Sequence, residues 1–263
     1  MAGMSESQFA GAFLFRPRSW RRVLRFAGLA IVAAVSPSTY SQQAREVAVR
    51  QIYYTAWQIL PGYAVVSALL SLLLIEVVMV SARKYGVAHY SLELVLSVLV
   101  LEVVPLMTAL FVALRSGAAI GAEIALMTVR GELEDREEAA ANPLHAELVP
   151  RIAGAALAVA SLTTLGCVVA VWLSYVVFYG FTPAGLTEFT RIVSNVFDGE
   201  ELAIFSLKCL LFGLSVAIIP AATALEAERG QIKSLPAVVL GGLVKLFFAI
   251  TVIEVASLVV KYA

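Results

Sequence analysis

Five stretches of this chain are apolar for longer than a bilayer is thick: about residues 54–80, 91–114, 152–179, 202–225 and 235–260. A membrane-crossing helix needs about 20 largely apolar residues, each rising about 1.5 Å. Backbone polar groups inside a bilayer must pair within their own segment, so each run is expected to be a helix. Composition agrees. The chain is 60% hydrophobic and 14% charged, with mean hydropathy +0.89. A soluble domain is nearer half apolar and a quarter charged. The expected fold is an all-α polytopic membrane protein with about five transmembrane helices, an N-terminal interfacial helix and a cytoplasmic coupling helix.

Several function classes fall away. Formal net charge is zero, so no nucleic-acid footprint is visible. Cys167 and Cys209 lie in or beside apolar runs without metal spacing or a CxxC pair, and read as small buried residues. His89 and His145 are too few for a metal cluster or a Ser-His-Asp site. No GxxxxGK[ST] pattern occurs, so this chain is not expected to hydrolyse ATP itself. No small-residue cleavage site follows a clean apolar core near the start, so no cleavable signal peptide is expected.

The connecting pieces are informative. Residues 1–8 read as a disordered polar end. In residues 9–35, Arg16, Arg18, Arg21, Arg22 and Arg25 interleave with Phe13, Phe15, Trp20, Leu24 and Phe26. Five arginines and Pro17 spoil a spanning helix, so this piece is expected to lie on the cytoplasmic leaflet. Residues 36–51 form a polar connector. Pro61-Gly62 could kink the first span, and Arg83-Lys84-Tyr85-Gly86 closes it. Residues 180–200 suggest a short amphipathic helix outside the membrane. Residues 226–234 make a charged turn at Gly230. No internal repeat is evident. Lysine and arginine placement puts thirteen charges inside and five outside, with Lys208 and Lys261 among the five and Lys245 within the membrane. The N-terminus is therefore expected in the cytoplasm and the C-terminus outside.

Charges inside the apolar runs each need a reason, because one such charge costs roughly 2.5–3.5 kcal/mol on insertion scales. Glu76 and Glu93 lie near span ends and can reach the interface. Lys245 and Glu254 are nine residues apart on the fifth span, on opposite faces, so each needs a partner elsewhere. Glu102 sits deeper, beside Pro105. It could face a lipid headgroup, or it could make an interhelical hydrogen bond to backbone or to Lys208.

The stretch from Leu101 to Arg151 carries further pattern. Glu102, Pro105, Thr108-Ala109-Leu110, Ala113, Arg115, Gly117, Ala119-Ile120, Ala122-Glu123, Met127, Asn142-Pro143 and Val149-Pro150-Arg151 stand at set spacings. Lys208-Cys209-Leu210-Leu211-Phe212-Gly213 and Glu254 add to them. In these residues the chain resembles the MlaE/YrbE permeases, membrane subunits of lipid-transporting ABC systems that work with MCE-domain proteins. The resemblance covers roughly residues 36–263.

The resemblance implies a permease that moves phospholipid or a related lipid between the inner membrane and an MCE-domain protein, as in systems that keep outer-membrane lipid asymmetry. It implies the bacterial inner membrane, a second permease copy (homodimer or heterodimer), separate ABC ATPase subunits holding ATP and Mg, and an MCE-domain hexamer. This chain itself would carry no cofactor. Two copies would enclose a cavity between the first, second and fifth spans. Lipid contacts are expected from Glu102, Leu70, Val77, Leu101, Pro105 and Glu254. Leu101 stands where the family has arginine, which would alter headgroup chemistry. Coupling to the ATPase is expected from a helix over about residues 122–141, through Glu123, Leu126, Met127, Val129, Arg130, Leu133 and Arg136. Leu126, Val129 and Leu133 would form its apolar stripe, although Arg136, Glu138 and Ala139 replace the family's apolar residues. Helix packing is expected from Arg115, Gly117, Gly121 and Lys208; Ala113, Gly117 and Gly121 are spaced by four, which lets helices approach closely. A non-transporting scaffold that anchors an MCE assembly is the alternative. A secondary transporter is weaker still, since no inverted repeat or broken-helix pair supports it.

Overall fold

The computed structural model describes Gly28 and residues 59–87, 90–131, 149–225, 227 and 235–262. Apart from Gly28 and Ala227, the expected interfacial helix, connector and charged turn lie outside them, as do both histidines, Leu133 and Arg136. Among the described residues, five helices are long and apolar enough to cross a membrane. They are α1 (Leu60–Lys84), α2 (Ser91–Arg130), α3 (Val149–Tyr179), α5 (Gly199–Ala224) and α6 (Leu235–Tyr262). A shorter helix, α4 (Leu186–Val196), connects α3 to α5. The chain is an all-α polytopic membrane protein, and each of the five helices overlaps one apolar run, with α2 continuing well past its run to Arg130.

Helix ends follow local chemistry. Pro61 stands in the first turn of α1, where a missing N–H costs nothing, so the described helix shows no proline-kinked interior there. Asp198, in extended conformation, caps α5 by accepting a 2.7 Å hydrogen bond from Gly199 N. Glu200 and Glu201 follow in the first turn, where the helix dipole favours acids. The fourth span therefore begins three residues earlier than its hydropathy suggests.

α2 is the central element. Its 40 residues reach about 60 Å, twice the hydrocarbon thickness. Two π-helical segments, Leu96–Val103 and Ala113–Gly117, interrupt its α-helical pattern. The segment expected to be a separate coupling helix begins inside α2. It ends at Arg130, because Gly131 adopts a left-handed conformation (φ 75°) that closes the helix. A single helix over residues 122–141 is thus not formed; residues 132–148 lie outside the described region.

Packing explains the small residues. α5 lies against α2, α3 and α6. Pro220 of α5 meets Gly117 and Gly121 of α2: a Cβ at these glycines would stand 3.5 Å from Pro220 Cγ and 3.4 Å from Pro220 Cβ. The central core joins Tyr63, Val112, Leu162, Phe212, Val216 and Leu246 from five helices. Within it, Thr108 donates to the Val104 carbonyl at 2.7 Å, so the buried Tyr63 hydroxyl donates to Thr108 Oγ1 at 2.6 Å. α4 is amphipathic. Its Phe189, Ile192, Val193 and Val196 pack onto the end of the bundle where α2 and α5 begin and α3 and α6 end.

Candidate functional site: a buried ion cluster

At that same end, α2, α5 and α6 bring five charged side chains together. Lys208 of α5 is the hub. Its ammonium donates to the Glu102 carboxylate of α2 and to the Leu101 carbonyl at 3.2 Å. It also lies 3.3 and 3.2 Å from the two carboxylate oxygens of Glu254 on α6, of which only the first is aligned as a hydrogen bond. Lys261, one residue before the end of α6, donates to the other oxygen of Glu102 at 3.3 Å and pairs with Glu201 of α5 at 3.0 Å. Glu102 therefore places one oxygen on each lysine.

The local backbone of α2 prepares this arrangement. Pro105 has no N–H to give the Leu101 carbonyl four residues earlier. Lys208 supplies the donor instead, at 3.2 Å. The π-helical segment around Glu102 adds a second displaced bond: Val104 N bonds Leu99 O, five residues back. π-bulges of this kind are frequent at functional sites.

Burial sets the energetics. The Lys208 side chain is 2% exposed, and those of Glu102 and Glu254 are 11% and 12%. Charges this buried persist only when paired and hydrogen-bonded. Among the described residues, three carboxylates face these two ammonium groups, so the lysines are shared rather than matched one to one.

The cluster gathers some expected residues and leaves others out. Glu102, Leu101 and Glu254 converge on Lys208, and Pro105 is buried beside them in α2. Lys208 acts as an ion-pair hub rather than as simple helix packing. Leu70 and Val77 lie on α1, which packs on both α2 and α3; Leu70 is half-buried and Val77 is exposed. Lys208 and Lys261, counted among the charges outside the membrane, have side chains only 2% and 7% exposed beside their carboxylate partners. Arg115 is exposed and takes no place in the packing that Gly117 and Gly121 make. Val129 is buried with Ile120, Ile124 and Ala125 against α3 and α5, so it serves the bundle's own core rather than a docking stripe. Leu126 and Met127 are half-buried; Glu123 and Arg130 are exposed.

Two members, Glu201 and Lys261, were not foreseen. A signal for them exists. Glu201 and Lys208 are seven residues apart, as are Glu254 and Lys261, so each pair shares one helix face. On antiparallel neighbours, Glu-then-Lys against Glu-then-Lys aligns opposite charges at both levels.

Elsewhere, a groove of about 650 Å³ runs between α3 and α4, lined by Thr164, Val168, Val171, Tyr175, Phe189 and Val193 among others. Cys167 borders it and donates weakly to Val100 O at 3.7 Å. Among the described residues no group of three or more His, Cys, Asp or Glu could hold a metal ion.

Membrane-length helices closing around a paired ion cluster define a polytopic membrane protein with a polar site inside its bundle. The Permease MlaE family model matches residues 48–260, and the chain belongs to that family. It is 23% identical over 207 residues, 78% of each chain, to a probable ABC transporter permease protein of Rickettsia prowazekii. It is 29% identical over 129 residues to a probable ABC transporter permease protein of Synechocystis, and that match spans about half (49%) of each chain.

Proposed function

We propose that this chain is the membrane-embedded permease subunit of an ABC transporter that moves phospholipid or a related lipid. The observation that carries the reading is the shared ion cluster around Glu102 inside the helix bundle. Ionisable groups at such depth are costly, and they mark substrate pathways. A lipid has the matching chemistry: charged headgroup for the cluster, acyl tails for the apolar helix faces.

The rest of the assembly follows from the same reading. ATP and Mg belong to separate ATPase subunits, and an MCE-domain protein outside exchanges the lipid. α1 and α6 are the least buried spans, with Leu69, Leu73 and Val77 on one and Val244, Phe248 and Val252 on the other turned outward. These faces suit a second permease copy and the lipid tails held between copies. In this reading Glu123 and Arg130, exposed at the far end of α2, meet the ATPase. The lysine and arginine count, thirteen against five, supports an N-terminus in the cytoplasm, and the family resemblance supports the bacterial inner membrane.

Native mass spectrometry of the complex gently extracted from its own cells, with released lipids identified, tests this. Two permeases with two ATPase subunits and bound phospholipid is the expected result. A complex that holds an MCE-domain protein without ATPase subunits would replace transport by the scaffold reading.

A further inference from the structure

The ion cluster is built in two levels. Lys208 and Glu254 form the inner one, and Glu201 and Lys261 the outer one. Seven residues separate the levels on each helix, about 10 Å along the axis. Glu102 touches a lysine of each level. The outer pair joins the first turn of α5 to the last turn of α6, at the end of the bundle that α4 covers.

The levels differ in their access to water. The inner side chains are 2% and 12% exposed, whereas Glu201 is 33% exposed. An ion pair with one wet partner is weak, because water replaces the lost contact. Breaking a buried pair strands a charge without solvent. Any separation of α5 from α6 at this end therefore begins at Glu201 and Lys261. When they part, Glu201 goes to water, while the Lys261 ammonium keeps its bond to Glu102 and releases the one donor that Glu201 held. A phosphodiester oxygen carries the charge and acceptor geometry that a carboxylate oxygen had there. One anion thus exchanges for another without leaving the lysine bare.

We propose that the Glu201–Lys261 pair is the outer latch of the headgroup site: it opens to let a phosphate-bearing headgroup pass between the cluster and the water beyond α4, and Lys261 is the first cation that the phosphate meets. The proposal rests on the lipid-moving reading above and goes beyond it by naming the contact that must break.

The test uses the complex extracted from its own cells and placed in phosphatidylethanolamine–phosphatidylglycerol vesicles. A trace phospholipid carries a photoreactive headgroup. Two readouts are followed: photo-attachment of the probe near Glu102, and ATP-dependent exchange of the probe with serum albumin. Glu201→Cys and Lys261→Cys are combined in a chain whose Cys167 and Cys209 are alanine. A short bis-methanethiosulfonate bridges the new thiols, and dithiothreitol removes it. The expected result is that bridging lowers exchange about tenfold or more, the shift of a two-state opening by a strong bias, while photo-attachment persists and reduction restores exchange. Equal exchange in the bridged and reduced states overturns the latch while leaving transport standing. Absence of ATP-dependent exchange in the unaltered complex overturns the transport reading itself. A second variant guards against misfolding. Glu201→Gln weakens the outer pair but keeps Lys261 on Glu102, so exchange should run at or above the rate of the unaltered complex. Exchange slowed severalfold by Glu201→Gln in an intact complex would also overturn the latch.

Discussion

Replacing Lys208 by methionine keeps the length of the side chain and removes its charge. The ammonium holds Glu102, Glu254 and the Leu101 carbonyl together. Without it Glu102 still has Lys261, but Glu254 loses the cation it pairs with. At 3.2 Å and an effective dielectric near 20, that attraction is roughly 5 kcal/mol before desolvation is counted. Removing one partner of a buried pair leaves a net loss of about 3–5 kcal/mol. Lys208→Met should therefore destabilise the protein by about that much, measured by reversible unfolding in mixed micelles. Adding Glu254→Gln removes the stranded charge. The double variant should then lie only about 1–2 kcal/mol below the natural protein, since what remains is mostly lost hydrogen bonding. A Lys208→Met loss under about 1 kcal/mol would refute the reasoning, as this is the value of a solvent-screened pair. So would a double variant that is simply additive, because coupling is what a shared buried site requires.

Two further outcomes check the packing. Gly121→Ala should be near neutral, since a Cβ fits 3.4 Å from Pro220 Cβ; Gly121→Leu should cost about 1–3 kcal/mol by forcing α2 from α5, read by the same unfolding assay. Asp198→Ala removes the side-chain acceptor for Gly199 N and should cost about 0.5–2 kcal/mol, with faster amide exchange confined to the first turn of α5.

The division between sequence and structure follows from the range of the forces. The five spans were legible because burial in hydrocarbon acts on each run by itself, whatever its neighbours. Gly117 and Gly121 were legible as a close-packing face because their spacing is a property of one helix. Glu102 and Glu254 stood out for their cost in apolar surroundings, and Lys208 could be offered as a partner for Glu102 but not chosen over backbone. That choice belongs to three helices at once. Lys261 and Glu201 looked like ordinary charges at span ends, because their seven-residue spacings to Glu254 and Lys208 acquire meaning only once α5 and α6 lie antiparallel in one register. Val129 erred the other way: its stripe was read correctly as apolar, but a stripe does not say whether its own bundle or a partner covers it. Periodicity and hydropathy are set residue by residue along the chain. Which helix faces which, and so which charge is neutralised, was decided only by tertiary packing, where the cost of an unpaired buried ion selects one register.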